Sequence, residues 1–531
     1  MKSKNQRFFG PETQIGFLKK TTLSIFVLIF LLPAIASAAT YYVSTTGNDA
    51  NPGTIDQPFK TLQKAANTVH AGDTLYIRGG RYYEGASFFL QNGTETAPIT
   101  VTAYPGERVI LDGNNYTIPA KESGSCLIMV YGSWYTVKNL EMTASGGTGI
   151  CLIGQHNIVD SVFSYKNWGG GILLTGNYDT AQNSRSWSNS MNNEGYTAEA
   201  KGEGWAWGIT CARYPDHCTI RNCTAWDNWG EGISTFETLH VTIEDCTSYD
   251  NQQNYYISDT KYTVLRRSLS YCTPGNAIDP HVTQNGIIIG DEKGVPIPLG
   301  DSGTRYPSSN NTIINNIVIG CDRNLAAGIY EGLIIAHNTF ANCDGDCAEP
   351  ASVLFYGGNG TTTRFINNII IQDDNLPIAI EGTLSNIVRG NNLWSRTPPT
   401  SARSSDDIIG DPKLARQATL SPGQMTPEWF KLLADSPAIN KAKILTEITD
   451  DFFKTTRGNN PDIGAHEYIG STPPTPVPGD LNGDGKVDVS DLNLVASDFG
   501  KTSNFNNAKS DTNIDGIVDI YDVVYVASRI S

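Results

Sequence analysis

Short runs of β-branched and aromatic residues, broken by Asn, Asp and Gly, recur along most of the chain. The clearest pair is HCTIRNCTAWDNWGEGI, starting at His217, and HVTIEDCTSYDNQQNYYI, starting at His240. Thr219-Ile220 matches Thr242-Ile243, Cys223 matches Cys246, Trp226-Asp227-Asn228 matches Tyr249-Asp250-Asn251, and Ile233 is set against Ile257. The period is about 23 residues, in the range of coil repeats rather than helical repeats. Each run has the composition of a strand bounded by turns. Stacked coils of this kind predict an all-β chain, a right-handed parallel β-helix. Equivalent positions would lie one above another, about 4.8 Å apart. The frame extends upstream through Ile158–Ile172 and downstream through segments ending at Ile278 or starting at Asn311, Leu333, Thr363 and Ser385. Asn316, Asn338 and Asn368 recur at one turn, where stacked amides hydrogen-bond along the column.

Both ends of the repeat read as caps. Leu62, Ala65, Ala66 and Val69 have helical spacing and would cover the open apolar end of the stack. Residues 408–468 break the repeat with GDPKL, DSPAIN and PDIGAHEY, a closing segment in which His466 and Glu467 read as structural. Beyond it, STPPTPVP is a stiff, extended linker. At the start, Lys19 and Lys20, the apolar run Leu23–Ile35 and the small residues Ala36-Ser37-Ala38 read as a secretory signal with its cleavage site. The expected organisation is a signal peptide over 1–38, a β-helix with its N-terminal cap over 39–395, a C-terminal cap over 396–469, a linker over 470–478 and a small domain over 479–531. Processing would leave no membrane-spanning segment, and the expected location is outside a bacterial cell or on its surface.

Charge narrows the partners. A net charge of −16 over 531 residues argues against nucleic acid and says nothing against sugars. Export permits disulfides, and there are ten cysteines. Cys343 and Cys347 have the spacing to close one tight loop and Cys211 with Cys218 another. Cys223 and Cys246 share a column, where a bond and simple buried stacking are both open. No CxxC pair or histidine cluster has the spacing of zinc ligands.

The last domain holds the most specific motif, DLNGDGKVDVSD and DTNIDGIVDIYD. Oxygen side chains fall at loop positions one, three, five, nine and twelve: Asp480, Asn482, Asp484, Asp488 and Asp491, then Asp511, Asn513, Asp515, Asp519 and Asp522. Gly485 and Gly516 allow the sharp turn, and the main-chain carbonyls of Lys486 and Ile517 complete each set, the arrangement a hard cation requires. A helical pattern follows each loop. The tandem resembles a type I dockerin, which implies two Ca2+ ions, calcium-dependent folding and a cohesin module as partner. Positions ten and eleven, which read the partner in that family, are Val489-Ser490 and Ile520-Tyr521.

A candidate active face emerges from the same repeat. Glu231 and Glu194 both lie two residues before a frame position, Ile233 or Tyr196, and would stack on neighbouring coils, where two carboxylates need a cation, a shared proton or a base. Lys201 follows, then Trp205 and Trp207, whose rings suit sugars. Tyr255 takes the Glu position one coil on, and Asn276, Asp279 and His281 follow. Glu194-Gly195-Tyr196, Lys201 and Asn222-Cys223-Thr224-Ala225-Trp226-Asp227-Asn228 resemble the DGF…K and NCxAWxN patterns of family nine pectate lyases. The chain departs from that family where Gly230-Glu231-Gly232-Ile233-Ser234 replaces DDGxD and where Asn254–Ser258 lacks a lysine. Asp279-Pro280-His281 resembles the DPH of mannuronan epimerases. The resemblance implies a pectin lyase-like β-helix acting on an acidic, uronate-containing polysaccharide by β-elimination. Glu194 and Glu231 would hold one further Ca2+ in the groove, with Lys201 or His281 as base. A glycoside hydrolase using the Glu pair, and a non-catalytic glycan-binding or adhesive rod, stand as alternatives.

Overall fold

The computed structural model describes residues 38–531 apart from 84, 114–125, 191–204, 277–281, 291–297, 300–302, 305–307, 329–330, 345–349, 357, 360–361, 382–383, 386, 417–424, 471–478, 480, 482–486, 504, 508, 514 and 531. The main body is a right-handed parallel β-helix. Three parallel sheets run its length: one of 13 strands from Thr40–Val43 to Val388–Gly390, one of 11 from Ser87–Phe89 to Ala379–Glu381, and one of 13 from Gly80–Tyr83 to Ile408–Ile409. They are called here the first, second and third sheets.

From Asn139 to Asn391 the coils turn from first to third sheet through one residue in the left-handed region. Asn222, Asp245, Arg267, Asn315, His337 and Asn367 occupy that corner with φ between +49° and +61°. Asn and Asp tolerate this conformation better than other non-glycine residues, which explains their recurrence. A second Asn column fills the adjoining interior. Asn316 Nδ2 donates to Asn338 Oδ1, Asn338 Nδ2 to Asn368 Oδ1 and Asn368 Nδ2 to Asn392 Oδ1, at 3.0, 3.0 and 3.1 Å. Buried amides are thereby satisfied from coil to coil.

Apolar columns make the core. On the second sheet Ile150, Ile172, Ile209, Ile233, Tyr255, Ile287, Leu325 and Val353 pair in register, and all are fully buried. This register corrects the sequence alignment. Ile233 pairs with Tyr255 rather than Ile257, whose partner is Thr235. The reason is spacing: Thr219 pairs with Thr242, but the next strand closes one residue sooner, with Glu231 against Gln253.

At the N-terminal end the helix Leu62–Ala66, capped by Thr61, buries Leu62, Ala65 and Ala66. The closing segment is tied on by a buried Arg457, which pairs with Glu467 at 3.1 Å and donates to Asn315 Oδ1 at 2.9 Å. His466 Nδ1 accepts from the Leu432 amide at 3.0 Å, and burial first, then Lys431 and Arg457, lowers its pKa to about 4. Both residues are therefore structural.

Among the described residues, disulfides join Cys126 to Cys151 and Cys272 to Cys321. Cys211, Cys218, Cys223 and Cys246 are buried free thiols, so neither Cys211 with Cys218 nor Cys223 with Cys246 is bonded; Cys347 lies outside the described residues. In the tail, helices Val489–Asp498 and Ile520–Ala527 pack around Val495, Val518 and Val526. Among the described residues no helix is long and apolar enough to cross a membrane.

Candidate functional site

The outer face of the second sheet carries the candidate site. Glu231 lies at the start of strand Gly230–Leu239, only 9 % exposed, with its carboxylate fixed at both oxygens. Trp205 Nε1 donates to Oε1 at 2.9 Å, and the Ser234 hydroxyl lies 3.0 Å from Oε2 and 2.8 Å from Thr210 Oγ1. Trp205 itself is 45 % exposed, so an aromatic surface is offered to solvent directly beside the carboxylate. Glu231, Ser234 and Thr210 form an all-oxygen donor set, the chemistry a hard cation such as calcium takes.

The register decides which residues share this column. Trp207 pairs with Glu231, Glu231 with Gln253, Gln253 with Asn285 and Asn285 with Arg323. Trp207, not Glu194, is therefore the neighbour one coil before Glu231. The reason is an insertion: Gln182 pairs with Arg221 across 39 residues, whereas Arg221 pairs with Glu244 across 23. The extra length lies ahead of strand Ala206–Ala212, and the expected frame position Tyr196 is filled by Ile209. Glu194 and Lys201 belong to 191–204, and Asp279 and His281 to 277–281, all outside the described residues.

Tyr255 is not a surface ring. It points into the core, fully buried, donating its hydroxyl to the Leu269 carbonyl at 3.2 Å; burial pushes its pKa well up. Its assignment to substrate is overturned, and Gln253 occupies the place expected for it. Trp207 is half-buried and packs with Leu173, Ala212 and the Cys126–Cys151 pair on the same outer face.

Two features were missed in the sequence. Arg323 stands in the Glu231 column three coils on, with the neutral Gln253 and Asn285 between them; only the register reveals it. The stacked carboxylates are Asp227 and Asp250, one coil apart at the corner leading into this sheet. Burial first, then the charge of Asp250, raises the Asp227 pKa to about 6. Asp250 accepts from the Thr273 amide at 2.6 Å, the Thr273 hydroxyl at 3.0 Å and Asn276 Nδ2 at 3.1 Å. The repeat had aligned these two aspartates, but at positions that read as plain turns.

The second of the expected cation loops in the tail closes on its own amides. Asp511, Asn513 and Asp515 accept the amides of Gly516, Asp515 and Ile517 at 2.8, 3.0 and 3.0 Å, and Gly516 turns the chain at φ +90°. Asp519 and Asp522 form a capping box on the following helix, as Asp488 and Asp491 do on theirs. Buried Asp522 would be raised by desolvation, but the amides of Asp519 and Thr512 with the Thr512 hydroxyl outweigh this and lower its pKa. Asp480, Asn482, Asp484 and Lys486 lie outside the described residues.

Fold and face together place the main body among right-handed parallel β-helix proteins. More particularly, residues 41–264 match the family model of the Pel9A-like right-handed β-helix region, and residues 478–531 match that of the dockerin type I domain. A 91-residue stretch is 43% identical to pectate lyase PEL9 of Emericella nidulans, covering 17% of this chain and 22% of that protein. Pectate lyase L of Dickeya dadantii is 24% identical over 452 residues, 82% of this chain and 92% of that one. Among solved structures, the complex of XylC with xylose shares the fold with a TM-score of 0.51 at 13% identity, over 81% of this chain and 98% of that one. Pectate lyase Pel9A aligns with a TM-score of 0.48 at 21% identity, over 82% and 97%.

Proposed function

We propose that the chain is an extracellular polysaccharide lyase that cleaves an acidic, uronate-containing polysaccharide and is tethered through its dockerin domain to a cohesin. The observation that carries the reading is the Trp205–Glu231 pair on the outer face of the second sheet, inside the Pel9A-like region. Export by the N-terminal signal accords with a dockerin and with the named lyases among its relatives.

In this reading the sugar chain lies across the coils. Trp205 offers its ring to a sugar face, and Arg323, three strand spacings or about 14 Å from Glu231, pairs with a uronate carboxylate. Glu231, with the Ser234 and Thr210 hydroxyls beside it, would hold a calcium, which when bound neutralises the carboxylate of the reacting residue. Lys201 or His281 removes the proton from the carbon beside that carboxylate. The bond to the leaving oxygen breaks, that oxygen takes a proton, and an unsaturated uronate remains.

The test is ultraviolet absorbance of the unsaturated product on pectate, alginate and rhamnogalacturonan, with calcium and then with chelator. A calcium-dependent rise, lost in Glu231→Gln, is expected. No unsaturated product on any of them overturns the lyase reading. One observation favours a second reading, a glycan-binding rod: the neighbours of Glu231 in its column, Trp207 and Gln253, carry no carboxylate. Retention on immobilised polysaccharide without cleavage would select it.

A further inference from the structure

At the corner joining the second sheet to the first, one side chain per coil projects outward from the left-handed region. Trp134, His156, Tyr178, His217, His240 and Tyr262 form a continuous stack there, with ring centroids 4.1, 4.7, 5.1, 4.6 and 4.8 Å apart. Two histidines are thereby adjacent, His217 at φ +60° and His240 at φ +48°. Asp216 completes the group. Its Oδ1 lies 2.8 Å from Nδ1 of His217 and 2.8 Å from Nδ1 of His240. Its amide donates to Asn177 Oδ1 at 2.9 Å, which fixes the backbone that presents the carboxylate.

We propose that Asp216, His217 and His240 form a binding site for a divalent transition ion of the zinc type. Three ligand atoms, one on each side chain, all lie within 4.8 Å of one another. Ligands bound at about 2.0–2.2 Å in a tetrahedral or octahedral arrangement stand roughly 3 Å apart, so the group needs little rearrangement to close on an ion. Two imidazoles and one carboxylate suit Zn2+, Cu2+ or Ni2+, whereas Ca2+ takes oxygen ligands alone. The site is therefore chemically distinct from the calcium loops of the tail.

Without an ion, the same atoms would be joined by Nδ1–H donation from each ring to Asp216 Oδ1. A divalent ion takes the place of those protons, with the two Nδ1 lone pairs and the carboxylate oxygen as its ligands. The side chains of Asp216, His217 and His240 are 35%, 47% and 42% exposed, so the remaining coordination positions open to water. Because His217 and His240 belong to successive coils, the bound ion would staple one coil to the next. The repeat aligns His217 with His240, and the turn of the β-helix brings both to the Asp216 carboxylate.

The experiment uses the full chain with its calcium loops saturated. Zinc chloride is titrated calorimetrically into the native protein and into His217→Gln, His240→Gln and His156→Gln. One equivalent is expected to bind the native chain and His156→Gln alike. Binding should weaken about tenfold or more in each of the other two variants. With Cu2+ as probe, nitrogen hyperfine structure in the electron paramagnetic resonance spectrum should reveal imidazole ligation in the native protein and vanish in the double variant. Circular dichroism checks that the variants remain folded. Zinc affinity unchanged in the double variant, or copper ligated by oxygen alone in the native chain, overturns the proposal.

Discussion

The indole Nε1 of Trp205 donates to Oε1 of Glu231 at 2.9 Å, so an exposed aromatic ring and a nearly buried carboxylate behave as one unit. Glu231→Gln should lower kcat by about 10²–10³, because it removes the charge that would hold the cation facing the negative charge developing on the substrate. Trp205→Phe keeps the ring but removes a hydrogen bond to a charged group, worth about 1.5–3 kcal/mol, and should lower kcat/KM roughly tenfold or more. Initial rates on the substrate found to react would check both. Equal activity of Trp205→Phe and native protein would separate the ring from the carboxylate.

Tyr255 sits where Ile233 sits one coil earlier, inside the core. Its replacement should therefore act on stability, not on substrate. Tyr255→Ala should cost about 3–5 kcal/mol as a cavity, and Tyr255→Phe about 1 kcal/mol for the hydroxyl bond to Leu269. Denaturant unfolding gives these values. KM should stay at its native value in Tyr255→Phe, and a large rise there would return the residue to the binding face.

Asp227 links the fold to pH. Burial, then the charge of Asp250, raises its pKa to about 6, against about 3.9 in the unfolded chain. Between those values the unfolded chain has lost the proton that the folded chain retains. This residue's contribution to stability is therefore present below about pH 4 and falls as pH rises through about 6. Asp227→Asn should flatten that fall and leave the protein more stable than native above the window. Urea midpoints measured across the range would test it, and parallel curves for the two proteins would contradict it.

The tail should respond to calcium separately from the β-helix. The second loop points Asp511, Asn513 and Asp515 at its own amides, and oxygens so arranged repel one another without a cation. Chelation is expected to melt the helices Val489–Asp498 and Ile520–Ala527 and leave the strand signal of the β-helix intact. Asp515→Ala should weaken calcium binding about tenfold or more. Far-ultraviolet circular dichroism with and without chelator reads the first effect, and calorimetry reads the second.

Some of the architecture was legible because a β-helix repeats its environment. Thr219 with Thr242 and Trp226 with Tyr249 are true register partners, and the Asn column at Asn316, Asn338 and Asn368 hydrogen-bonds as its recurrence implies. Each of these positions meets the same neighbours one coil away, so local pattern and tertiary contact coincide.

The candidate site was less legible, for two reasons. An insertion of unequal length before Ala206–Ala212 breaks the count between coils, so Glu194 was matched to Glu231 where the register has Trp207. An aromatic residue also carries no label for side: Tyr255 reads as a surface ring, yet its hydroxyl finds a main-chain acceptor inside the core.

By itself, the sequence determined what is local: the strand-and-turn repeat of the β-helix and the tandem pattern of the dockerin-like tail. The tertiary structure alone decided the meetings that the repeat does not align. That set includes Glu231 with Trp205, Cys272 with Cys321, and Asp216 with His240. The physical reason is that a parallel coil fixes its neighbours by hydrogen-bond register. The sequence offset between register partners is the summed length of the strands and turns between them, so an insertion changes that offset, from 23 residues at Arg221–Glu244 to 39 at Gln182–Arg221, while the columns stay in place.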